Sequence, residues 1–213
     1  MPEGSEVEVR PVEGRGELTK FIKLPFRLHK GTPWVPPLIM ERREFLDRSK
    51  NPYFEHAEAE YFIAWRDGEP VGRITAQVDR RWDEYQGGSD GQFGFIDAVD
   101  DPEVFAALLG AAEAWVKGRG RERIVGPMDF TTNDECGLLI EGYDLHPYIL
   151  EPWHPPYYRD RIEALGREFE VGDDPNPEHY RWRAFSDFLA GRRPLPPALA
   201  KAGYKLTDPG RYQ

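Results

Sequence analysis

The chain has 213 residues, 39% hydrophobic and 13% aromatic, enough for one large domain, and its formal charge of −10 works against a nucleic-acid backbone or an anionic membrane surface as partner. A single cysteine excludes an intramolecular disulfide and any cysteine-built zinc site. No apolar run approaches the roughly 20 residues of a membrane helix, and Met-Pro-Glu-Gly-Ser-Glu lacks the basic-then-apolar plan of a signal peptide, so the expectation is a soluble, cytoplasmic protein with no membrane partner.

Val7 to Val12 alternates in the manner of a strand. Leu18, Phe21, Ile22, Phe26 and Leu28 follow at helical spacing, interrupted by Pro25. Thr32 to Leu38 carries three prolines and cannot be helix, because each removes a backbone donor and restricts its neighbour. A second helix is predicted over about Ile39 to Arg48. Glu60 to Trp65 and Pro70 to Val78 read as strands joined by Arg66-Asp67-Gly68-Glu69, and Asp-Gly between two apolar runs is a strong hairpin signal.

Asp83 to Gly91 reads as a polar loop, and Phe93 to Val99 as the next strand. Asp101-Pro102-Glu103 then opens the clearest helix: aspartate suits the cap, proline the first turn, and glutamate the positive end of the dipole. Phe105, Leu108, Leu109, Ala112, Trp115 and Val116 give it one apolar stripe. Arg123 to Met128 is a predicted strand, Tyr148 to Glu151 another short one, and Pro155 to Leu165 a helix stopped by Gly166. The order is strand, two helices, three strands, helix, strand, loop, helix, strand. That is a mixed α/β fold, and the helix between two strands points to one parallel crossover.

After Val171 the pattern deteriorates. Residues 1–171 are expected to form the domain and 172–213 a Pro-, Gly- and Arg-rich extension, with a short helix over Tyr180 to Leu189 and a small helix leading to a strand over Ala198 to Leu206.

The densest polar chemistry lies in the run Gly126-Pro127-Met128-Asp129-Phe130-Thr131-Thr132-Asn133-Asp134-Glu135-Cys136-Gly137-Leu138-Leu139, which leaves a strand and turns polar at once. Loops leaving a sheet carry function more often than the sheet does. Asn133, Asp134 and Glu135 offer groups to bind and deprotonate an amine, because an ammonium has no lone pair and a carboxylate can serve as its base. The alternative reading is structural: Thr131, Thr132, Asn133 and Asp134 suit the cap of a following short helix. Thr131, Thr132, Tyr157 and Tyr158 are candidate substrate contacts, with packing the rival role for the tyrosines. Cys136 reads as a small buried thiol, since a nucleophile needs an activating base nearby. The five histidines are scattered at positions without metal-ligand spacing, so no metal is expected.

Several runs carry a resemblance. They are Asn51-Pro52-Tyr53-Phe54-Glu55-His56-Ala57-Glu58-Ala59-Glu60-Tyr61-Phe62, Asp67-Gly68-Glu69-Pro70-Val71-Gly72-Arg73-Ile74, the polar loop with its GPM-x-F-x-TNDECGLL pattern, and Pro155-Pro156-Tyr157-Tyr158. Together with the element order they resemble the GNAT acyltransferase superfamily, and more narrowly a bacterial GNAT-like family of unassigned substrate, over about Val7 to Leu165. Members of that family commonly run longer, with a second GNAT-like half. The resemblance implies an N-acyltransferase that takes an acyl group from acyl-CoA or acetyl-CoA to a small amine, in a cleft where the Phe93 to Val99 and Arg123 to Met128 strands part. It implies that backbone groups of Ile96, Asp97, Ala98 and Val99 hold the pantetheine arm while Asn133, Asp134 and Glu135 face the acceptor.

The chain departs from the family in two places. Members hold the CoA pyrophosphate on a glycine-rich loop before the long helix, whereas this junction reads Asp97-Ala98-Val99-Asp100-Asp101-Pro102-Glu103, with four carboxylates and no glycine. Many members use a tyrosine as general acid; the two possible alignments put Leu138 or Ile162 there, and the second puts His154 where asparagine is expected. The alternative expectation is therefore a catalytically silent GNAT-like module that binds a ligand or a protein.

Overall fold

A computed structural model describes residues 5–165. Five strands form one mixed sheet in the order β1 (Glu8–Pro11), β2 (Ala57–Arg66), β3 (Glu69–Asp79), β4 (Asp90–Ala98), β5 (Arg123–Val125). The first four run antiparallel to their neighbours, and β5 pairs parallel to β4. The helices are α1 (Gly14–Leu28), α2 (Ile39–Phe45), α3 (Arg80–Gln86), α4 (Pro102–Lys117) and α5 (Tyr157–Glu163), with a 3-10 turn at Pro52–Glu55. The mixed α/β class and the parallel crossover through α4 agree with the sequence pattern.

The β2–β3 hairpin turns on Asp67 and Gly68, both at positive φ (53° and 77°), the conformation of a tight hairpin loop. On β2 the period of two sorts side chains cleanly. Ala57, Ala59, Tyr61, Ile63 and Trp65 join Phe21 and Ile22 of α1 in one buried cluster. The opposite face carries Ala64, paired with Gly72 and through it with Ala98, beneath α4. A Cβ on Gly72 would stand 2.7 Å from Leu108 Cδ1 and 2.9 Å from Val104 Cγ1, so glycine there lets the helix settle onto the sheet. Asp101 caps α4 as its sequence suggests, accepting from the Glu103 and Val104 N–H groups at 2.9 and 3.4 Å.

Three local readings are corrected. The segment read as a loop over Asp83 to Gly91 holds the second half of α3 and the start of β4; α3 is capped by Asp79 accepting from Arg81 N–H at 2.8 Å and closed by Gly87 at φ 68°, and it buries no side chain, so no apolar stripe announced it. β5 stops at Val125 rather than Met128, because Pro127 has no N–H to continue a ladder. Tyr148 to Glu151 forms no strand; Glu151 N–H turns back to the Tyr148 carbonyl at 3.1 Å. The extension at 172–213, with its predicted helices and closing strand, lies outside the described residues.

Candidate functional site

The β4–β5 ladder ends at Gln92 and Val125, and the chain leaving β5 touches β4 again at two points. Met128 N–H donates to the Phe93 carbonyl at 2.8 Å, and the Asp129 carboxyl accepts from Phe95 N–H at 2.7 Å. Phe95 sits at φ 48° where the β3–β4 register shifts, a bulge that re-aims the strand and a strained conformation for a bulky residue. Phe130, at φ 73°, stacks on Tyr53 (4.7 Å between centroids) and on Phe45 (5.2 Å). That ring anchors the polar loop in the aromatic core.

Here a cleft of about 550 Å³, open mouth included, is lined by Arg73, Phe95, Ile96 and Asp97 from the sheet and by Trp34, Pro37 and Arg42 from the segment around the start of α2. Asp129, Glu135 and Gly137 of the polar loop, with Pro152, Trp153 and His154, also line it. His146 Nδ1 donates to the Pro33 carbonyl at 2.7 Å and ties the proline-rich segment to the chain beyond the polar loop.

Two charged groupings face this space. Arg42 donates to Glu135 Oε1 at 3.0 Å and lies 3.6 Å from Asp129 Oδ2, so one guanidinium serves two carboxyls. Asp129 is buried, and burial together with the charge of Glu135 outweighs Arg42 and pushes its carboxyl up to about 8. In the second grouping Asp97 accepts from His29 Nε2 at 2.6 Å and from Arg73 Nε at 2.7 Å. Burial opposes the charge on Asp97, but Arg73 and His29 overcome it and hold the carboxyl below its usual range.

His154 is buried beside Tyr158, 5.2 Å between rings, and its Nδ1 accepts from Leu139 N–H at 3.4 Å. Burial, opposed by Asp97 and reinforced by His29, brings its imidazole down to about 4. The unfolded chain therefore binds more protons than the folded one between about 4 and 6.5, and stability is lost as pH falls through that window, by about 3 kcal/mol in total. Urea unfolding across this range should show a shallower acid-side loss for His154→Gln than for the wild type; equal slopes would mean the imidazole is not held neutral.

The sequence-read residues fall into separate groups. Glu135 lines the cleft. Asp134 turns back on its own loop, accepting from Thr131 Oγ1 at 2.6 Å, and Asn133 N–H donates to the same Thr131 hydroxyl at 3.2 Å, with Asn133 and Thr132 exposed. No helix follows for these residues to cap. Cys136 is exposed rather than buried, bridges to Met128, and its thiol is pushed up by desolvation and by Asp129, which keeps it protonated. Ile96 and Asp97 line the cleft, whereas Ala98 is engaged by α5: its N–H donates to Tyr158 at 2.8 Å and its carbonyl accepts from Tyr157 at 2.8 Å. Val99 N–H donates to Val71 at 3.0 Å.

Each carboxylate of the acidic junction has an arginine partner, three arginines serving four acids. Arg66 pairs with Asp101 and Glu103 (2.5 and 2.8 Å), Arg161 with Asp100 (2.7 Å), and Arg73 with Asp97. Sequence reasoning missed Arg42, Arg73, His29 and Asp129. Only Asp129 carried a signal, as a charged residue between Met128 and Phe130 in an otherwise apolar flank. Among the described residues no group of three or more His, Cys, Asp or Glu side chains is placed to hold a metal, and no helix is long and apolar enough to cross a membrane.

No protein-family model matches the chain. It is 46% identical over 159 residues to Protein YghO of Escherichia coli (strain K12), covering 74% of this chain and 40% of that protein. It is 44% identical over 164 residues to the bacterial ceramide synthase of Caulobacter vibrioides (strain NA1000 / CB15N), covering 76% of this chain and 43% of that protein. The chain thus spans less than half the length of the curated relatives it matches. Among solved structures, a tandem GNAT protein from the clavulanic acid biosynthesis pathway (without AcCoA) aligns over 76% of this chain and 43% of that one, at 15% identity and a TM-score of 0.48.

Proposed function

We propose that this chain is a GNAT-like N-acyltransferase domain that moves an acyl group from an acyl-CoA thioester to a small amine. The observation that carries the reading is the buried Asp129 beside Glu135 in the cleft, both reached by Arg42. A carboxyl poised near neutral pH suits a base that must take a proton from an amine as it attacks. The Caulobacter relative is named for ceramide synthesis, and a ceramide is an N-acyl amine, which supports amide formation as the reaction class.

In this reading Glu135 attracts the incoming ammonium and Asp129 removes its proton. The free amine adds to the thioester carbon, the carbon–sulfur bond breaks, and the second amine proton passes to the departing sulfur, so that CoA leaves as thiol. Thr131, Thr132, Asn133 and Asp134 build the turn that carries Glu135 and shape the acceptor side. The acyl donor lies along Ile96, Asp97, Ala98 and Val99. To pair with the Ala98 carbonyl, a pantetheine amide displaces the Tyr157 hydroxyl, which makes Tyr157 and Tyr158 the gate on the donor side. Val35, Leu38, Met40, Ile149 and Leu150 are exposed on the stretches flanking the cleft, which suits a donor with a hydrocarbon chain.

A second reading, a silent ligand-binding module, has its own support. Asp101 occupies the α4 N-terminus, where a pyrophosphate would bind in a GNAT enzyme, and Ala98 has no vacant backbone group. The purified protein, mixed with acetyl-CoA or palmitoyl-CoA and a panel of primary amines, is expected to release CoA thiol and form the matching amide by mass spectrometry. Saturable acyl-CoA binding by calorimetry without any amide product would instead favour the silent module.

A further inference from the structure

We infer that His154, through its Nε2–H, is the hydrogen-bond donor that receives the acyl carbonyl oxygen in the cleft. The inference rests on the acyl-transfer reading and adds to it a residue that stabilises the oxygen rather than moving a proton. His154 is 7% exposed and lines the cleft. Its Nδ1 is the acceptor for Leu139 N–H, so a neutral ring carries its proton on Nε2. No described residue hydrogen-bonds that nitrogen.

Three of the other side-chain donors of the lining are committed, which leaves the Trp34 indole as the rival to His154. Arg42 is held by Glu135 and Asp129, Arg73 by Asp97, and the Trp153 indole N–H donates to the Tyr143 carbonyl at 3.1 Å. The groups that face His154 are Asp97, His29 and Tyr158; burial, reinforced by His29 and opposed by Asp97, keeps the ring neutral, so it binds an oxygen without giving up its proton. A neutral imidazole fixed by its second nitrogen polarises a carbonyl in the manner of a preorganised donor.

The step balances. The amine lone pair adds to the thioester carbon, and the carbonyl π pair moves onto oxygen, where His154 Nε2–H holds it. When the carbon–sulfur bond breaks, that pair re-forms the carbonyl and the thiolate departs. Asp129 has already taken the ammonium proton, the second proton of the adduct nitrogen passes to the departing thiolate, and His154 ends as it began.

Acetyl-CoA and palmitoyl-CoA carrying ¹³C at the thioester carbonyl test this by isotope-edited infrared spectroscopy, without an amine acceptor. The bound carbonyl band is expected at lower wavenumber than the free one. The displacement should vanish in His154→Phe and persist in Trp34→Phe, which removes the other indole donor lining the cleft. In the wild type, the His154 Nε2–H resonance of ¹⁵N-histidine-labelled protein should move downfield when acyl-CoA binds, a readout that needs no variant to fold. Binding with an undisplaced band, a displacement that survives His154→Phe, or an unmoved resonance overturns the assignment while leaving acyl transfer standing. Failure of the wild type to bind either acyl-CoA overturns both.

Discussion

Asp129→Asn is expected to yield a folded protein whose kcat/KM for acyl transfer falls about 10²–10⁴-fold, the usual worth of a positioned base. The fold should survive because the side chain is held with its proton: asparagine replaces one neutral group by another of the same shape, and its oxygen can still accept from Phe95 N–H. The pH dependence separates a base from a mere packing residue. In the wild type, kcat/KM should rise with pH and level off near 8, where burial and the Glu135 charge place the carboxyl; the variant should lack that limb.

Stability moves the opposite way. With a folded value above the unfolded one, the native state holds the extra proton between about 4 and 8, so wild-type stability declines as pH rises through that window. Asp129→Asn should unfold at higher urea than the wild type above pH 8. A variant that transfers acyl groups at the wild-type rate would remove Asp129 from the chemistry.

Gly94→Ala is expected to be the most damaging glycine-to-alanine change among the described residues. A Cβ at that position would stand 1.9 Å from the Met128 carbonyl oxygen and 2.5 Å from its carbon, both backbone atoms. No rotamer change relieves such a contact, so the polar loop must move off β4. That breaks the Met128 to Phe93 hydrogen bond, the Phe95 to Asp129 bond and the Gln77 to Met128 bond at 2.9 Å. Each lost or orphaned buried group costs about 1–3 kcal/mol, and several together exceed what a domain of this size can lose without partial unfolding. Gly110→Ala is the control. Nothing lies within 4 Å of that position on α4, and alanine in a helix interior should stabilise by up to about 1 kcal/mol. Thermal or urea unfolding of the two variants should therefore differ in sign; a Gly94→Ala protein as stable as the wild type would mean the loop does not lie against β4.

Local chemistry made much of the fold legible. Asp-Gly between alternating runs specified the hairpin, Asp101-Pro102 and the stripe from Phe105 to Val116 specified α4, and the run from Gly126 to Leu139 marked the loop that reaches the cleft. These signals survive in one dimension because turn conformation, capping and periodicity act over a few residues. What lacked a local cause was lost: α3 has no buried stripe, and β5 was cut short by Pro127.

The site divided in the same way. Glu135 stood out within its own loop, but its partner Arg42 lies 93 positions away, and Asp97 meets Arg73 and His29 across separations of 24 and 68. Burial of Asp129, the neutral His154 and the hold of Tyr157 and Tyr158 on Ala98 likewise exist only once α2, α5 and the polar loop converge on β4. Residue chemistry and its local spacing set which groups the protein has, where the chain turns and a mixed α/β order. Which charges meet and which are stripped of water follows from the packing of distant segments, because pairing and desolvation depend on distance in space and not along the chain.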